Sequence, residues 1–275
     1  MAILRRRVSQ ERQRALNAAS LAAKYEGKPE VDGMQPLYDK MAALQRRLAA
    51  RHLATADIHQ AHLVRLERWL TEPEMIIRPT FLSAVAEVLG VPFAAAALCG
   101  VEQVPLAVAA SDTTARAAQE LERVLDEGPA LLALAQGGPV AAAGSAMFDR
   151  WTRYGPAVAE LGVRSVIAVP LRSSTTCFGA LCAYDRAPAI AAAVAAGAEV
   201  MAEAMALSML DGGMPGPLAT DGFQPRIHQA AGILSAYHDC SMGDAEAMLR
   251  AHAFAENRPV ADVASDVIAA RTRLA

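Results

Sequence analysis

The side chains able to do chemistry in this chain are sparse, and the most suggestive set lies in its last fifty residues. Arg226, Arg250, His252, Asn257 and Arg258 are spread there among short apolar runs. A guanidinium suits a phosphate, an asparagine amide can read a base edge, and the free backbone amides that open a helix attract anions. Arg250 follows Leu249, so it faces away from the apolar stripe of its own helix. Arg258 stands at a break before Pro259, and Asn257 fits a turn there equally well.

The other reactive types point away from catalysis. His59 and His62 are three apart, a spacing that could ligate a metal, but no carboxylate or cysteine completes the set. They read, with His52, as solvated histidines of a helix. Cys99, Cys177, Cys182 and Cys240 show no C-x-x-C spacing, and Cys177 and Cys182, five apart on one strand, would face opposite sides. Free thiols are expected. No histidine falls between His62 and His228, which removes an axial haem histidine and any Ser-His-Asp or Cys-His arrangement from that stretch. There is no Gly-rich phosphate loop. A reductase built on a pair among Cys99, Cys177 and Cys182 would have only Arg186 nearby in sequence to activate a thiol. The expectation is a non-enzyme with no metal and no cofactor.

The elements that must carry the last fifty residues are three short helices. Ile227, Ala230, Ile233 and Leu234 recur at helical spacing until Asp239-Cys240. Ser241-Met242-Gly243-Asp244 has the form of a capping box and opens a second helix with Ala245, Met248, Leu249 and His252. Asn257-Arg258-Pro259 stops it, and Val260, Val263, Ala264, Val267 and Ile268 form the stripe of a third. Helices this short must pack on one another.

The order Ile227-x-x-Ala230-x-Gly232-x-Leu234, Asp244-Ala245-x-x-x-Leu249-Arg250-x-x-Ala253 and Val263-Ala264-x-x-Val267-Ile268 resembles the ANTAR family. The resemblance implies an RNA-binding output module that regulates transcription termination, whose dimers recognise paired RNA hairpins. It assigns the motif to Ala230, Gly232, Ala245, Leu249, Ala253, Val263 and Ala264. Small residues there let helices approach closely, or leave a shallow surface for an unstacked base. Ala231 and Ala251 stand where basic residues are common in the family. Residues 226–275 hold five Arg against six acids, a thin electrostatic footprint for RNA. A helical tail that docks on a protein is the alternative.

Charge divides the rest. Residues 1–70 carry thirteen Lys and Arg against seven acids, and residues 71–225 carry eight against sixteen, within a total of −3. Positions 3–25 predict an Arg-rich helix ending at Gly27-Lys28-Pro29; its basic run could touch RNA, but a solvated face or mobile arm is the expectation. Leu37, Met41, Leu44 and Leu48, resumed by Leu63, Leu66 and Leu70, predict a helix packing on a partner helix.

From about Arg78 the pattern changes. Pro79–Leu89 reads as a helix closed by Gly90. Strands are predicted at Phe93–Cys99, Val104–Ala110, Val140–Ala143, Val163–Leu171 and Cys177–Tyr184, with helices near Pro129–Gln136 and Phe148–Leu161. A closing helix over Ala189–Leu210 has two apolar faces, one for the sheet and one for a partner chain or the N-terminal helix. Asp126-Glu127-Gly128-Pro129, Trp151-x-x-Tyr154-Gly155-Pro156, Leu161-Gly162-Val163-Arg164-Ser165 and Val169-Pro170-Leu171 resemble a GAF domain of the actinobacterial type that precedes an ANTAR module. That implies an antiparallel sheet flanked by helices, serving as a small-molecule sensor or dimer scaffold. Trp151 and Tyr154 read as core anchors.

The expected fold is therefore α+β. A helical segment (1–77) precedes a GAF-like sensor (78–211), a Gly/Pro-rich linker (212–223) and an ANTAR-like RNA-binding module (224–275). The expected function is a cytoplasmic, homodimeric antiterminator. Its partners would be RNA hairpins in nascent transcripts and an unidentified small-molecule ligand or upstream signalling protein. No stretch is long and apolar enough to suggest a membrane.

Overall fold

A computed structural model describes residues 1–29, 33–72, 79–99, 105–172, 177–210, 223–242, 245, 248, 249 and 260–269. Helices α1 (Ala2–Glu26) and α2 (Gln35–Thr71) pair as an antiparallel hairpin. The side-chain contacts Arg5–Glu67, Glu11–His52 and Glu26–Arg46 run in opposite order along the two. Ala18, Ala22, Ala42 and Ala56 are buried, so α1 is a packed helix and not a mobile arm. Small side chains let the helix axes approach, which leaves Leu37 and Leu44 on the flank. Leu37 and Leu44 are 49% and 50% exposed. The expected helix–helix packing is present, since α2 lies against α1 and two later helices and Leu63 of the stripe is buried, but Leu37 and Leu44 stay outside those seams.

Thr80 accepts from Ser83 N to start α3 (Phe81–Leu89), and Gly90 ends it in the left-handed region at φ +69°. Strands β1 (Phe93–Cys99), β2 (Pro105–Ala110), β3 (Val140–Ala143), β4 (Ser165–Arg172) and β5 (Cys177–Asp185) form one antiparallel sheet in the order β2-β1-β5-β4-β3. One face carries Ala94, Ala96, Ile167, Val169, Leu181 and Ala183, covered by α3, by Ile58 of α2, and by Met201 and Met205 of α8 (Ala192–Leu210). The second side of α8 meets α2, where Arg47 pairs with Glu203. Of the two alternatives for that side, the N-terminal helix is therefore one that is realised.

The opposite face is covered by α4 (Thr113–Leu125), α5 (Pro129–Gln136), α6 (Ser145–Arg150) and α7 (Tyr154–Glu160). Helix α4 is absent from the elements the sequence predicts, although Asp112 caps its start and Ala115, Ala118, Leu121 and Leu125 give it an apolar side; Gln119, Glu122 and Arg123 are buried beside them. The helix expected over Phe148–Leu161 is two helices, since Trp151 turns extended and enters the core between them.

The tail begins with α9 (Phe223–His238), ended by Asp239 at φ +50°. Residues 242, 245, 248 and 249 are helical, and α10 spans Val260–Ile268. Ile227, Ala230, Ala231, Leu234, Ala245, Leu249, Val263, Ala264 and Val267 make a separate core. Val124 of α4 packs on its edge, and α9 lies against β2, the edge strand. Residues 212–222 of the predicted linker lie outside the described residues, and Phe223, its expected last residue, opens α9.

Candidate functional site

The tail's small residues are its core. Ala230, Ala245, Leu249, Val263 and Ala264 are all buried, the alanines allowing the three segments to pack closely. Ala231 is fully buried too, so the position where the family commonly has a basic residue is interior here. Gly232 differs: a Cβ there would meet nothing within 4 Å, so close approach does not require it. Ile233 is exposed and not part of the stripe. Arg250, His252, Ala253, Asn257 and Arg258 lie outside the described residues. Arg226 is on the first turn of α9, with its side chain likewise undescribed.

A second cluster, which the sequence did not reveal, fills the sensor domain between α4 and the sheet. Gln119 Nε2 donates to Tyr184 Oη (2.6 Å) and to Glu122 Oε2 (3.2 Å), with Cys182 Sγ at 3.6 Å. Tyr154 Oη stands beside Tyr184 without a bond of good geometry. Glu122 Oε1 accepts from Leu131 N at 2.8 Å, so a buried carboxyl caps the start of α5. Burial pushes the Glu122 pKa up to about 7, although the backbone N–H groups of Leu131 and Ala130 and the Gln119 amide favour its charged form. Burial also holds the Cys182, Tyr154 and Tyr184 protons well above their usual range, with the neighbouring Glu122 adding to the effect.

The motif words become physical at this cluster. A Cβ on Gly128 would lie 2.5 Å from Glu122 Cγ, so only glycine admits the carboxyl. Glu127 accepts from Thr152 N (2.8 Å), Arg153 N (3.0 Å) and Tyr154 N (3.2 Å), capping α7 after the Trp151 break. Gly155 lies so close to Met147 O that a Cβ would be 2.5 Å away. Trp151 and Tyr154 meet edge to face at 5.9 Å, both buried. The signal that could have found Glu122 was the pair of an internal helix carboxylate with a glycine six residues on.

The histidines are also placed differently from expectation. His59 and His62 are buried, each ring 5.6 Å from Phe81, at the junction of α2 with α3. Burial, with Arg7 and His62 nearby, lowers the His59 pKa to about 4. Among the described residues no group of three or more His, Cys, Asp or Glu could hold a metal ion. Cys177 and Cys182 share one face of β5, not opposite faces, because the β4–β5 ladder slips by one residue between Leu171↔Gly179 and Arg172↔Cys177.

The described chain is thus a helix-flanked antiparallel sheet with a buried polar cluster, followed by a small helical unit. Residues 74–209 match the GAF domain and residues 224–268 match the ANTAR domain. The chain joins a GAF domain to an ANTAR domain, and the matches carry no narrower type. No curated protein matches it. Among solved structures it is similar to a domain described as belonging to a two-component sensor histidine kinase protein of Sinorhizobium meliloti 1021. That match has 14% identity over 47% of this chain and 85% of that one, with a TM-score of 0.36. It is also similar to a phycoerythrobilin-bound GAF domain from a cyanobacterial phytochrome, at 12% identity over 60% and 97%, with a TM-score of 0.29. Among the described residues no helix is long and apolar enough to cross a membrane.

Proposed function

We propose that this chain is a signal-responsive, RNA-binding regulator of transcription termination, an antiterminator with a GAF sensor and an ANTAR output. The observation that carries the reading is the presence of both domains in one chain. A small molecule or an upstream signalling protein acts on the sensor, and two tails in a cytoplasmic homodimer bind or release hairpins of a nascent transcript. The chain performs no catalysis. Phosphate contact falls to Arg226, Arg250 and Arg258, with His252 and Asn257 beside them; Gly232 supports the reading by leaving open space on α9 where a base can lie.

Filter binding to a two-hairpin RNA, with a scrambled-loop RNA as control, tests this. Arg250→Ala should weaken binding by about 1–3 kcal/mol and Arg258→Ala by less, and affinity should fall steeply with salt. Equal affinity for both RNAs, or indifference to both substitutions, would overturn it. A second reading has its own support: the tail's charge is −1 and Ile233, Tyr237 and Met242 are exposed on it. In that reading the tail docks on a protein partner, and the same experiment would return no RNA binding.

A further inference from the structure

The sheet end next to β1 and β5 brings two thiols together. Along β1, Phe93, Ala95, Ala97 and Cys99 face the α4 side, while Ala94, Ala96 and Leu98 face the α8 side. The β1–β5 ladder runs in register from Phe93↔Tyr184 to Leu98↔Gly179, which continued would set Cys99 opposite Phe178. The slip in β5 prevents that. Phe178 packs on the α8 side, and Cys177 takes the place on the α4 side that Phe178 would have held. The β1–β2 ladder slips at the same level, between Leu98 and Cys99. Both thiols are free, Cys99 buried and Cys177 half-buried.

We propose that Cys99 and Cys177 are an oxidation site: a cross-strand thiol pair that hydrogen peroxide converts to a disulfide. Cross-strand neighbours on one face of an antiparallel pair have Cα atoms about 4.5–5.5 Å apart, within the span a disulfide needs. Cys177 is the one solvent reaches, so it attacks peroxide first, giving a sulfenic acid and one water. The Cys99 sulfur then attacks the Cys177 sulfur, hydroxide leaves with the Cys99 proton as a second water, and the disulfide closes. Two electrons pass from the thiols to the peroxide. Burial and the neighbouring Cys177 and Glu122 push the Cys99 pKa up to about 11, which suits it to resolve and not to initiate. Cys182 is fully buried deeper in the same face, hydrogen-bonded to Gln119, and stays reduced. This inference is independent of what the tail binds.

The test uses the full chain, treated with hydrogen peroxide, alkylated under denaturing conditions and mapped by non-reducing mass spectrometry. The four free cysteines should fall to two, with one cross-link whose fragment ions place it at Cys99–Cys177 and which dithiothreitol removes. Cys240→Ser should leave the cross-link in place, and Cys177→Ser should abolish it. Because the wild-type fragment ions decide by themselves, misfolding of a variant does not blunt the result. Cys177 driven to sulfinic acid while Cys99 is still alkylated would overturn the proposal, and so would a cross-link through Cys182 or Cys240.

Discussion

Glu122 loses its proton near pH 7 in the fold, against 4.5 for an ordinary side chain. The folded chain therefore binds that proton more tightly than the unfolded chain. The stability this contributes is fully present below about pH 4.5 and is lost as the pH rises through 7. His59 has the opposite sign. Its pKa is lowered from 6.5 to about 4, so its share is present above 6.5 and lost as the pH falls toward 4. Glu122→Gln keeps the shape and cannot ionise, so thermal melts at several pH values should show it gaining on the wild type as the pH rises from 4.5 to about 7, by on the order of 3 kcal/mol in all. Parallel melting curves for the two would refute the assignment. Gly128→Ala should cost about 1–3 kcal/mol by crowding the same carboxyl, and less in a Glu122→Ala background, as a double-mutant cycle would reveal.

Helix α4 has two working faces. Gln119 and Glu122 point into the sensor, and Val124, two residues on and so on the far side, packs against the tail's core. Helix α9 also lies against β2, an edge strand whose outer hydrogen-bonding groups need cover. One helix thus touches both the polar cluster and the output. Val124→Asp should loosen that contact without disturbing the sensor core. Amide exchange within α9 should become roughly tenfold faster while the amides of α5 keep their protection. Equal acceleration in both helices would mean global destabilisation, and none in α9 would mean that Val124 bears no load.

At the scale of the molecule, the basic first segment and the acidic middle meet through ion pairs from α2, Arg65 to Glu87 on α3 and Arg47 to Glu203 on α8. Exposed pairs of this kind contribute about 0–1 kcal/mol each, so the apolar contact of Ile58 with the sheet's cluster matters more. Leu37 and Leu44 of the leucine stripe are uncovered among the described residues, and a second copy is the proposed cover. Light scattering should give about twice the 28.9 kDa of one chain, and Leu37→Glu with Leu44→Glu should return it to one. A monomer at about tens of micromolar would exclude this.

What the sequence determined by itself was everything governed by local periodicity and turn chemistry. The strands at Phe93–Cys99 and Val140–Ala143, helix Pro129–Gln136 and the stop at Gly90 follow from runs bounded by glycine and proline, and the structure has them. The helical spacing of Ala230, Ala245 and Ala264 likewise marks positions that are core in the tail. Tertiary structure alone decided whatever depends on a contact across the chain. A face carrying Gln119 and Glu122 is interior only because Tyr184 and the α5 amides come from elsewhere to satisfy it. His59 and His62 are buried only because α3 brings Phe81 to them. Counting residues along β5 put Cys177 and Cys182 on opposite faces. The slip in pairing with β4 reverses that parity, and a slip belongs to two strands at once.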